Sequence, residues 1–274
     1  MVDLSFKYRD AISYLKKESP FAPDIAVVLG SGLGNFADST KKIKTIQTSK
    51  IPAYPSANIE GHKGLIHFAK VENKKLIIFQ GRIHFYEGFN LSDCILPVLL
   101  AKKIGCSKII FTNAAGGINK KLIPGDLMLV ESFNSINIKK ELTEFIGIPS
   151  LEAKNNFLNC PSVKMNKIFK DAAAQDGIIL HSGTYWYTKG PSYETPAEIE
   201  MIRSFGGDAA GMSTVHEAVF ASSLKMEVAI LSCITNMASG ISQQKLSHAE
   251  VTETAKHSSE KFALLLKTAI SRIE

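Results

Sequence analysis

Short apolar runs rich in β-branched residues alternate along this chain with longer segments of helical periodicity. Runs of the first kind predict strands over residues 25–29, 65–69, 76–80, 108–112, 127–130, 181–187 and 228–235. Segments of the second kind predict helices over residues 91–104, 196–205, 214–224 and 247–273. The alternation of the two patterns is typical of an α/β protein.

Two of the predicted strands, 65–69 and 76–80, are separated only by a short polar turn around Glu72 and Asn73. Such a connection pairs strands antiparallel, so we expect a mixed sheet rather than a purely parallel one. No linker, repeat or low-complexity tract interrupts the chain, and we therefore expect a single domain over residues 1–274. In sheets of this kind, the loops at the carboxyl ends of the strands build the binding site.

Composition narrows the class of protein. The chain has 274 residues, of which 45% are apolar, and this is enough to bury a large core. No apolar run reaches about 18 residues, and the first ten residues lack the apolar centre of a secretory signal, so we expect a cytoplasmic protein with no membrane partner. The cysteines are far apart and without His partners at zinc spacing, which predicts reduced thiols and no metal: Cys94, Cys106, Cys160 and Cys233.

The net charge of +6 suits either nucleic acid or an anionic small substrate. No basic run is interleaved with aromatic residues in the manner of nucleic-acid-binding segments. The cluster Lys41, Lys42 and Lys44 is interpreted as a solvated loop. We therefore expect no nucleic-acid partner.

A glycine-rich segment, Gly30-Ser31-Gly32-Leu33-Gly34, directly follows the predicted strand 25–29. Three glycines in five residues let the backbone approach an anion closely, and a helix starting there would direct its free N–H groups to the same place. The alternative is that the glycines serve only the sterics of a strand-to-helix turn.

Three further segments of unusual composition lie at predicted element ends. Residues 81–88 carry Arg82, His84 and Tyr86 at alternate positions, and a guanidinium fork suits phosphate oxygens. Residues 113–117 predict a second small-residue turn with backbone N–H groups, and Ser213 stands at the mouth of a predicted helix. Each has a structural alternative: a packing histidine, a tight turn or an N-cap. Together with residues 30–34, they favour one shared anion site.

Other nucleotide-binding motifs are absent from the sequence. A dinucleotide fingerprint requires Gly-x-Gly-x-x-Gly, but Asn35 follows Gly34, and no Gly-x-x-x-x-Gly-Lys-Ser/Thr loop occurs. No Gly-x-Ser-x-Gly nucleophile elbow occurs either, which argues against an α/β-hydrolase. Neither a dinucleotide cofactor nor ATP is therefore expected.

The chain resembles the trimeric class of purine nucleoside phosphorylases. The segments that carry the resemblance follow one another over most of the chain: residues 30–34, 60–62, 81–88, 112–117, 124–128, 190–195, 211–214 and 234–236. The resemblance implies a mixed sheet partly closed as a barrel, flanked by helices, in a homotrimer with its sites near subunit contacts. It also implies reversible phosphorolysis, in which phosphate, a co-substrate rather than a cofactor, attacks C1′ of a purine nucleoside.

The resemblance further implies a set of site residues. Phosphate would be held by Ser31, His62, Arg82, His84, the backbone at Ala114, and Ser213. The sugar would be lined by Tyr86, Met212 and His248, and the base would be held by Tyr193, Glu194 and Asn236. Among these residues, Asn236, Glu194 and His84 would take part in catalysis.

The chemistry of the reaction agrees with the roles of Asn236 and Glu194. The departing purine gains negative charge, and an amide N–H of Asn236 can stabilise that charge at N7. A Glu194 carboxylate can accept N1–H of hypoxanthine or guanine, whereas N1 of adenine is itself an acceptor and is rejected. The sequence therefore predicts inosine, guanosine and their 2′-deoxy forms as substrates. Alternatively, Glu194 serves only the dipole of the helix that follows it.

Several alternatives remain open. A methylthioadenosine phosphorylase would share the phosphate apparatus, although an acidic residue is expected there in place of Asn236. Xanthosine differs by one base oxygen, and a nucleoside-binding homologue without catalysis would keep the fold. The divergence of residues 131–166 from the family motivates this last alternative, a homologue that binds nucleosides without catalysis. Two further departures are that Phe157 is only the nearest match to a Phe that covers a neighbouring site, and that His216 stands where the family usually has Pro.

Overall fold

A computed structural model describes residues 3–56, 63–146, 151–241 and 248–274. The strands of this part of the chain are β1 (Ile25–Leu29), β2 (Lys41–Gln47), β3 (Leu65–Val71), β4 (Lys74–Gln80), β5 (Lys108–Gly117), β6 (Leu127–Asn134), β7 (Leu180–Tyr187), β8 (Ala209–Gly211) and β9 (Glu227–Met237).

The helices of the same ranges lie mainly between the strands. They are α1 (Leu4–Lys7), α2 (Arg9–Glu18), α3 (Asn35–Asp38), α4 (Leu91–Cys94), α5 (Leu96–Lys103), α6 (Lys139–Ile146), α7 (Leu151–Leu158), α8 (Val163–Gln175), α9 (Pro196–Ser204), α10 (Val215–Ser223), α11 (His248–His257) and α12 (Ser259–Arg272). Short 3₁₀ turns occur at Thr48–Lys50, Phe85–Glu87 and Ile136–Ile138. In the described part of the chain, no helix is both long and apolar enough to span a membrane.

The strands form one mixed sheet in the order β2-β3-β4-β1-β5-β8-β7-β6-β9, and β9 also pairs with β5. The last five strands of this order therefore close into a barrel, while β2, β3, β4 and β1 extend from it. Pairing between β5 and β9 is parallel from Lys108↔Glu227 to Gly117↔Met237. The predicted α/β class with a mixed, partly closed sheet is confirmed.

Alternating side chains of the strands pack on opposite faces of the sheet. In β1, Ala26 and Val28 belong to a core that includes α5 and α10. Their neighbours Ile25, Val27 and Leu29 belong to a second core that includes α8 and α12. A strand covered on both faces has no polar positions, which explains why β1 appears in the sequence as an uninterrupted apolar run.

All seven predicted strands are present. Residues 25–29 match β1, and the predicted hairpin is formed by β3 and β4, which pair antiparallel from Leu65↔Gln80 to Val71↔Lys74. The other predicted strands are longer in the structure at one or both ends. Apolar runs therefore locate the buried centres of strands but not their polar ends.

The prediction of a solvated loop at Lys41, Lys42 and Lys44 is wrong, because these residues begin β2. This strand lies at the sheet edge and pairs only with β3. Exposed lysines are typical of edge strands, where they oppose pairing with another chain. The three-residue strand β8 has too few residues for a pattern and was not predicted.

The predicted turn at residues 113–117 is also wrong, because β5 continues through Gly117. Its small residues allow β5 to pair with β9 on one side and with β8 on the other, where Gly116 lies opposite Ala210. A Cβ atom on Gly117 would lie 3.0 Å from side-chain atoms of Ile234 and Met237. The glycines therefore serve barrel closure rather than a reversal of the chain.

Two predicted helices are each divided. Residues 91–104 form α4 and α5, which meet at Ile95, with Pro97 in the first turn of α5. A proline is tolerated there because the first turn has no intrahelical partner for its N–H. The described part of 247–273 forms α11 and α12, and Ser258 lies between them.

Candidate functional site

A cavity at one end of the barrel collects residues from β5, β8, β9 and the loops after β1, β4 and β7. Of the predicted site residues, His62 lies outside the described residues, and the structure places His248 at the first position of α11. The others all line this cavity: Ser31, Arg82, His84, Tyr86, Ala114, Tyr193, Glu194, Met212, Ser213 and Asn236.

Arg82 is the buried cation of the cavity. Its Nη1 atom donates to the carbonyl oxygen of Thr112 at 2.9 Å and to Oγ of Ser213 at 3.2 Å. Its Nε atom lies 2.9 Å from Oε2 of Glu217, and both side chains are buried. Two segments that are distant in sequence from Arg82, namely β5 and residues 213–217, thus fix the guanidinium at the cavity wall.

The partner of Arg82, Glu217, was not among the predicted site residues. Burial raises the pKa of its carboxyl, and the neighbouring Arg82 opposes that rise. One signal in the sequence could have identified it, since Glu217 is the one acidic residue of α10, a helix that is buried over residues 215–222. A charge is rarely placed in such a helix unless a partner neutralises it.

The segment from Ser213 to Val215 has a strained backbone. Thr214 has φ +77° and ψ −50°, and the N–H of Val215 donates to the carbonyl oxygen of Ser213 at 2.9 Å. This is the rare positive-φ form of the γ-turn, which is costly for a β-branched residue. Nδ2 of Asn113 donates to Oγ1 of Thr214 at 3.0 Å and so supports the turn. Strain of this kind is typical of functional sites.

The glycine-rich segment after β1 approaches β5 closely. A Cβ atom on Gly30 would lie 2.7 Å from both Cα of Asn113 and the carbonyl oxygen of Thr112. The N–H of Gly30 donates to Oγ1 of Thr112 at 3.0 Å. The steric explanation therefore holds for Gly30. Because the two segments touch, the next residue, Ser31, lies on the same cavity as the small residues of β5.

His84 and Tyr86 form a stacked pair at the cavity wall, with ring centroids 4.8 Å apart and planes inclined by 23°. Nδ1 of His84 lies 2.9 Å from Oε1 of Glu87, which also accepts the backbone N–H of His84 at 3.1 Å. Glu87, a residue with no predicted role, therefore holds the imidazole in one orientation. Burial raises the pKa of Tyr86 to about 12, so its hydroxyl stays protonated at neutral pH.

Glu194 and Asn236 provide a carboxylate and an amide in the same cavity. Oγ1 of Thr188 donates to Oε1 of Glu194 at 2.5 Å. Oδ1 of Asn236 accepts from Oγ1 of Thr235 at 2.9 Å, and its Nδ2 donates to the carbonyl oxygen of Met237 at 3.1 Å. Both side chains are thus oriented by neighbouring hydroxyl groups.

The alternative role of Glu194, as the acid at a helix N-terminus, is filled by another residue. Thr195 is the N-cap of α9, and its Oγ1 accepts the N–H of Glu198. The Glu198 carboxylate in turn accepts the N–H of Thr195 at 2.7 Å. This capping box satisfies the helix end without Glu194.

Two residues singled out in the divergent sequence lie away from the cavity wall. The ring of Phe157 on α7 packs edge-on against Phe133, with centroids 6.1 Å apart, and is 38% exposed. His216 is fully buried in α10 and lies edge-on to Tyr187, with centroids 5.7 Å apart. Burial lowers the pKa of His216 to about 3, so this imidazole is neutral.

The wall of this one cavity carries two kinds of chemical group. Arg82, Ser213, Ser31 and the backbone of Ala114 offer a cation, hydroxyls and main-chain groups suited to an anion. Glu194 and Asn236 offer a carboxylate acceptor and an amide, which suit a flat ligand with both donors and acceptors. The arrangement fits an enzyme that brings an oxyanion to a heterocycle carried on a sugar.

Comparison with known proteins agrees with this arrangement. Residues 24–271 match the family described as the phosphorylase superfamily. Purine nucleoside phosphorylase 1 of Geobacillus stearothermophilus is 38% identical over 268 residues, which cover 95% of each chain. The solved structure of Schistosoma mansoni purine nucleoside phosphorylase with inosine has a TM-score of 0.88 and 28% identity, covering 98% of this chain and 97% of its own. A solved structure of Schistosoma mansoni purine nucleoside phosphorylase with adenosine also has a TM-score of 0.88, at 30% identity and 98% coverage of both chains.

The chain therefore belongs to the phosphorylase superfamily. Within that superfamily it is a member of the purine nucleoside phosphorylases. The family suggested by the sequence motifs is confirmed.

Proposed function

We propose that the chain catalyses the reversible phosphorolysis of 6-oxopurine ribonucleosides and 2′-deoxyribonucleosides, releasing the free base and (deoxy)ribose 1-phosphate. Purine nucleoside phosphorylase activity follows from the family. The choice of base and the role of each residue are the proposal. The observation that carries it is the joint presence of Arg82 with Ser213 and of Glu194 with Asn236 in one cavity.

In the proposed reaction, phosphate lies against Arg82, Ser213, Ser31, His84 and the backbone of Ala114. Phosphate is a weak nucleophile, so the protein contributes mainly by fixing it in line with C1′. The C1′–N9 bond breaks as the new C1′–O bond forms, and the bonding electrons leave with the purine. Tyr86 and Met212 also line the cavity and would contact the sugar.

The departing purine gains negative charge that spreads over its imidazole ring. An amide N–H of Asn236 would donate to N7, and this bond strengthens as the charge develops. The amide does not titrate, so Asn236 stabilises the anion without protonating it. A carboxylate at Glu194 would accept N1–H of hypoxanthine or guanine, which adenine lacks.

The decisive experiment incubates the purified protein with inosine in the presence and absence of inorganic phosphate. We expect hypoxanthine release that requires phosphate. A homologue that only binds nucleosides would release no base under either condition. The preference for 6-oxopurine bases is then tested with a panel of substrates at saturating phosphate: inosine, guanosine, xanthosine, adenosine and methylthioadenosine. Because solved structures of Schistosoma mansoni purine nucleoside phosphorylase contain adenosine in one case and inosine in another, kcat/KM rather than binding is the quantity to compare.

We also propose a homotrimer, as the family resemblance implies. The support from this chain is an apolar groove of about 400 Å³ between α6, α7 and α10, lined by Leu142, Ile146, Phe157, Leu158 and Val219 among others. Leu158 is 80% exposed there, which is unusual for a leucine unless a partner covers it. Sedimentation equilibrium should give three times the 29.9 kDa chain mass. A mass of one chain would contradict the proposal.

A further inference from the structure

Glu194 stands between two cavities. One is the site cavity that it shares with Asn236. The other has a volume of about 240 Å³ and is lined by Thr188 and Lys189 together with Glu194 itself. Thr188 lines the second cavity and is not among the residues that line the site cavity, so the Glu194 carboxylate has a hydroxyl partner outside the site cavity.

The contact between these two residues is short and charge-assisted. Oγ1 of Thr188 donates to Oε1 of Glu194 at 2.5 Å. Hydroxyl donors to a carboxylate are among the strong hydrogen bonds of proteins at this separation. With Oε1 bonded to Thr188, Oε2 remains as the second acceptor of the carboxylate.

The backbone around Thr188 is anchored on three sides. Its N–H donates to the carbonyl oxygen of Gly211 at 3.0 Å. The preceding residue, Tyr187, accepts at its carbonyl from Nδ2 of Asn137 at 3.1 Å, and Nζ of Lys189 donates to Oε1 of Glu141 at 2.6 Å. These anchors tie the end of β7 to β8, to the 3₁₀ turn at Ile136–Ile138 and to α6. The hydroxyl of Thr188 therefore has a fixed base from which to orient the carboxylate.

We propose that Thr188 is a positioning residue for base recognition, whose hydroxyl fixes the Glu194 carboxylate so that its second oxygen accepts N1–H of the purine. This inference rests on the proposed function, because it concerns how Glu194, the residue proposed to bind N1–H of the base, is oriented. A glutamate without such a donor samples several rotamers, and ordering it on binding costs free energy. Thr188 removes that cost before the base arrives.

The test compares Thr188→Val, which keeps the shape and removes the hydroxyl, with Thr188→Ser, which keeps the hydroxyl. Two kinetic constants separate the possible roles: KM for inosine depends on the contact with N1–H, and KM for phosphate does not. For Thr188→Val we expect kcat/KM for inosine to fall about tenfold, mainly through KM, with KM for phosphate changed by less than about twofold. Thr188→Ser should retain most of the inosine activity.

An equal rise of KM for inosine and KM for phosphate would show a merely structural role for Thr188 and overturn the inference, as would unchanged inosine kinetics in Thr188→Val. Thr188→Ala gives a second variant without the hydroxyl should the valine disturb folding.

Calorimetric titration with hypoxanthine measures the same contact without turnover, and we expect Kd to rise about tenfold in Thr188→Val. If the unmodified protein released no hypoxanthine from inosine either with or without phosphate, the proposed function would be refuted. A functional unmodified protein with an unaffected Thr188→Val variant would refute only the role of Thr188.

Discussion

Nε of Arg82 lies 2.9 Å from Oε2 of Glu217, and the two side chains are 1% and 0% exposed. Arg82 reaches the cavity wall from the loop after β4, whereas Glu217 belongs to α10, the helix that begins beyond Ser213. The ion pair therefore joins two segments that the proposed phosphate would contact. A buried charge pair of this kind specifies where the guanidinium points, even though it adds little net stability over an apolar pair.

Glu217→Gln should destabilise the protein, because it leaves the buried guanidinium without a counter-charge. We expect the free energy of unfolding to fall by about 3 kcal/mol in phosphate-free buffer, measured by urea denaturation. Inorganic phosphate would then supply the missing negative charge. Its addition should raise the Tm of Glu217→Gln by more than it raises the Tm of the unmodified protein.

The control for this variant is Glu200→Gln, which breaks the exposed pair of Glu200 with Arg203 on α9. Exposed ion pairs contribute little, so its unfolding free energy should change by less than about 1 kcal/mol. If Glu217→Gln were as stable as this control, the buried ion pair would not hold Arg82 in place.

Ser213→Ala should weaken phosphate binding without unfolding the site. Nη1 of Arg82 donates to Oγ of Ser213 at 3.2 Å, and the same hydroxyl lies on the cavity wall. Truncating Arg82 instead would leave Glu217 buried and unpaired and would therefore also destabilise the fold. Ser213 is for this reason the better position at which to test phosphate binding. We expect KM for phosphate to rise about tenfold in steady-state assays, and KM for inosine to change little.

Ser271→Ala is the matched control for Ser213→Ala, because Oγ of Ser271 donates to the carbonyl oxygen of Thr268 on the same helix, α12, and Ser271 lines neither the site cavity nor the apolar groove. Its kinetics should equal those of the unmodified protein. A parallel rise of both KM values in Ser213→Ala would indicate a distorted cavity rather than a lost phosphate contact.

Asn236→Ala should lower kcat much more than it alters KM, since the proposed contact with N7 strengthens only as the base departs. Removal of a single donor to a developing anion typically costs about 10²- to 10³-fold in rate. The amide is oriented by Oγ1 of Thr235 at 2.9 Å. Thr235→Val should therefore give a smaller loss of kcat, and a full series of initial rates against inosine measures both.

An unchanged kcat in Asn236→Ala would show that this residue takes no part in catalysis. If KM rose while kcat stayed constant, the amide would bind the ground state and transition state equally, and charge stabilisation would have to come from elsewhere in the cavity.

The sequence predicts the buried, apolar strands of this fold better than the exposed, polar ones. The run at β1 is buried on both faces and is therefore recognised along its full length, whereas β2 has an exposed, lysine-rich edge and does not resemble a strand. The extension of β5 through Gly117 depends on pairing with β8 and β9, which are distant in sequence. No local pattern contains that information.

The residues of the candidate site also differ in how well the sequence predicts them. Arg82 and Ser213 are marked by their positions at element ends and by the family motifs. Glu217 and Thr188 act through other side chains, and their partners lie in other segments or across a loop, so neither has a motif of its own. The positive φ of Thr214 is likewise imposed by the γ-turn and by Asn113 rather than by a glycine in the sequence.

His216→Leu should leave the protein as stable as before at neutral pH, or more stable. Among the residues that the structure describes, neither ring nitrogen of His216 has a hydrogen-bond partner, although the side chain is fully buried. Burying a polar group without a partner costs free energy, and an apolar side chain of similar size avoids that cost. Urea denaturation at pH 7 measures the change, and a loss of more than about 1 kcal/mol would show that the imidazole has a stabilising role.

The same variant should also flatten the pH dependence of stability. The pKa of His216 is about 3 in the folded protein and 6.5 for an ordinary histidine, so the unfolded chain binds a proton in this range that the folded chain does not. Stability from this group is therefore complete above about pH 6.5 and is lost as the pH falls toward 3. We expect the unfolding free energy to drop less between pH 7 and pH 5 in His216→Leu than in the unmodified protein. His257→Gln alters a histidine that is 80% exposed and should keep the original pH dependence.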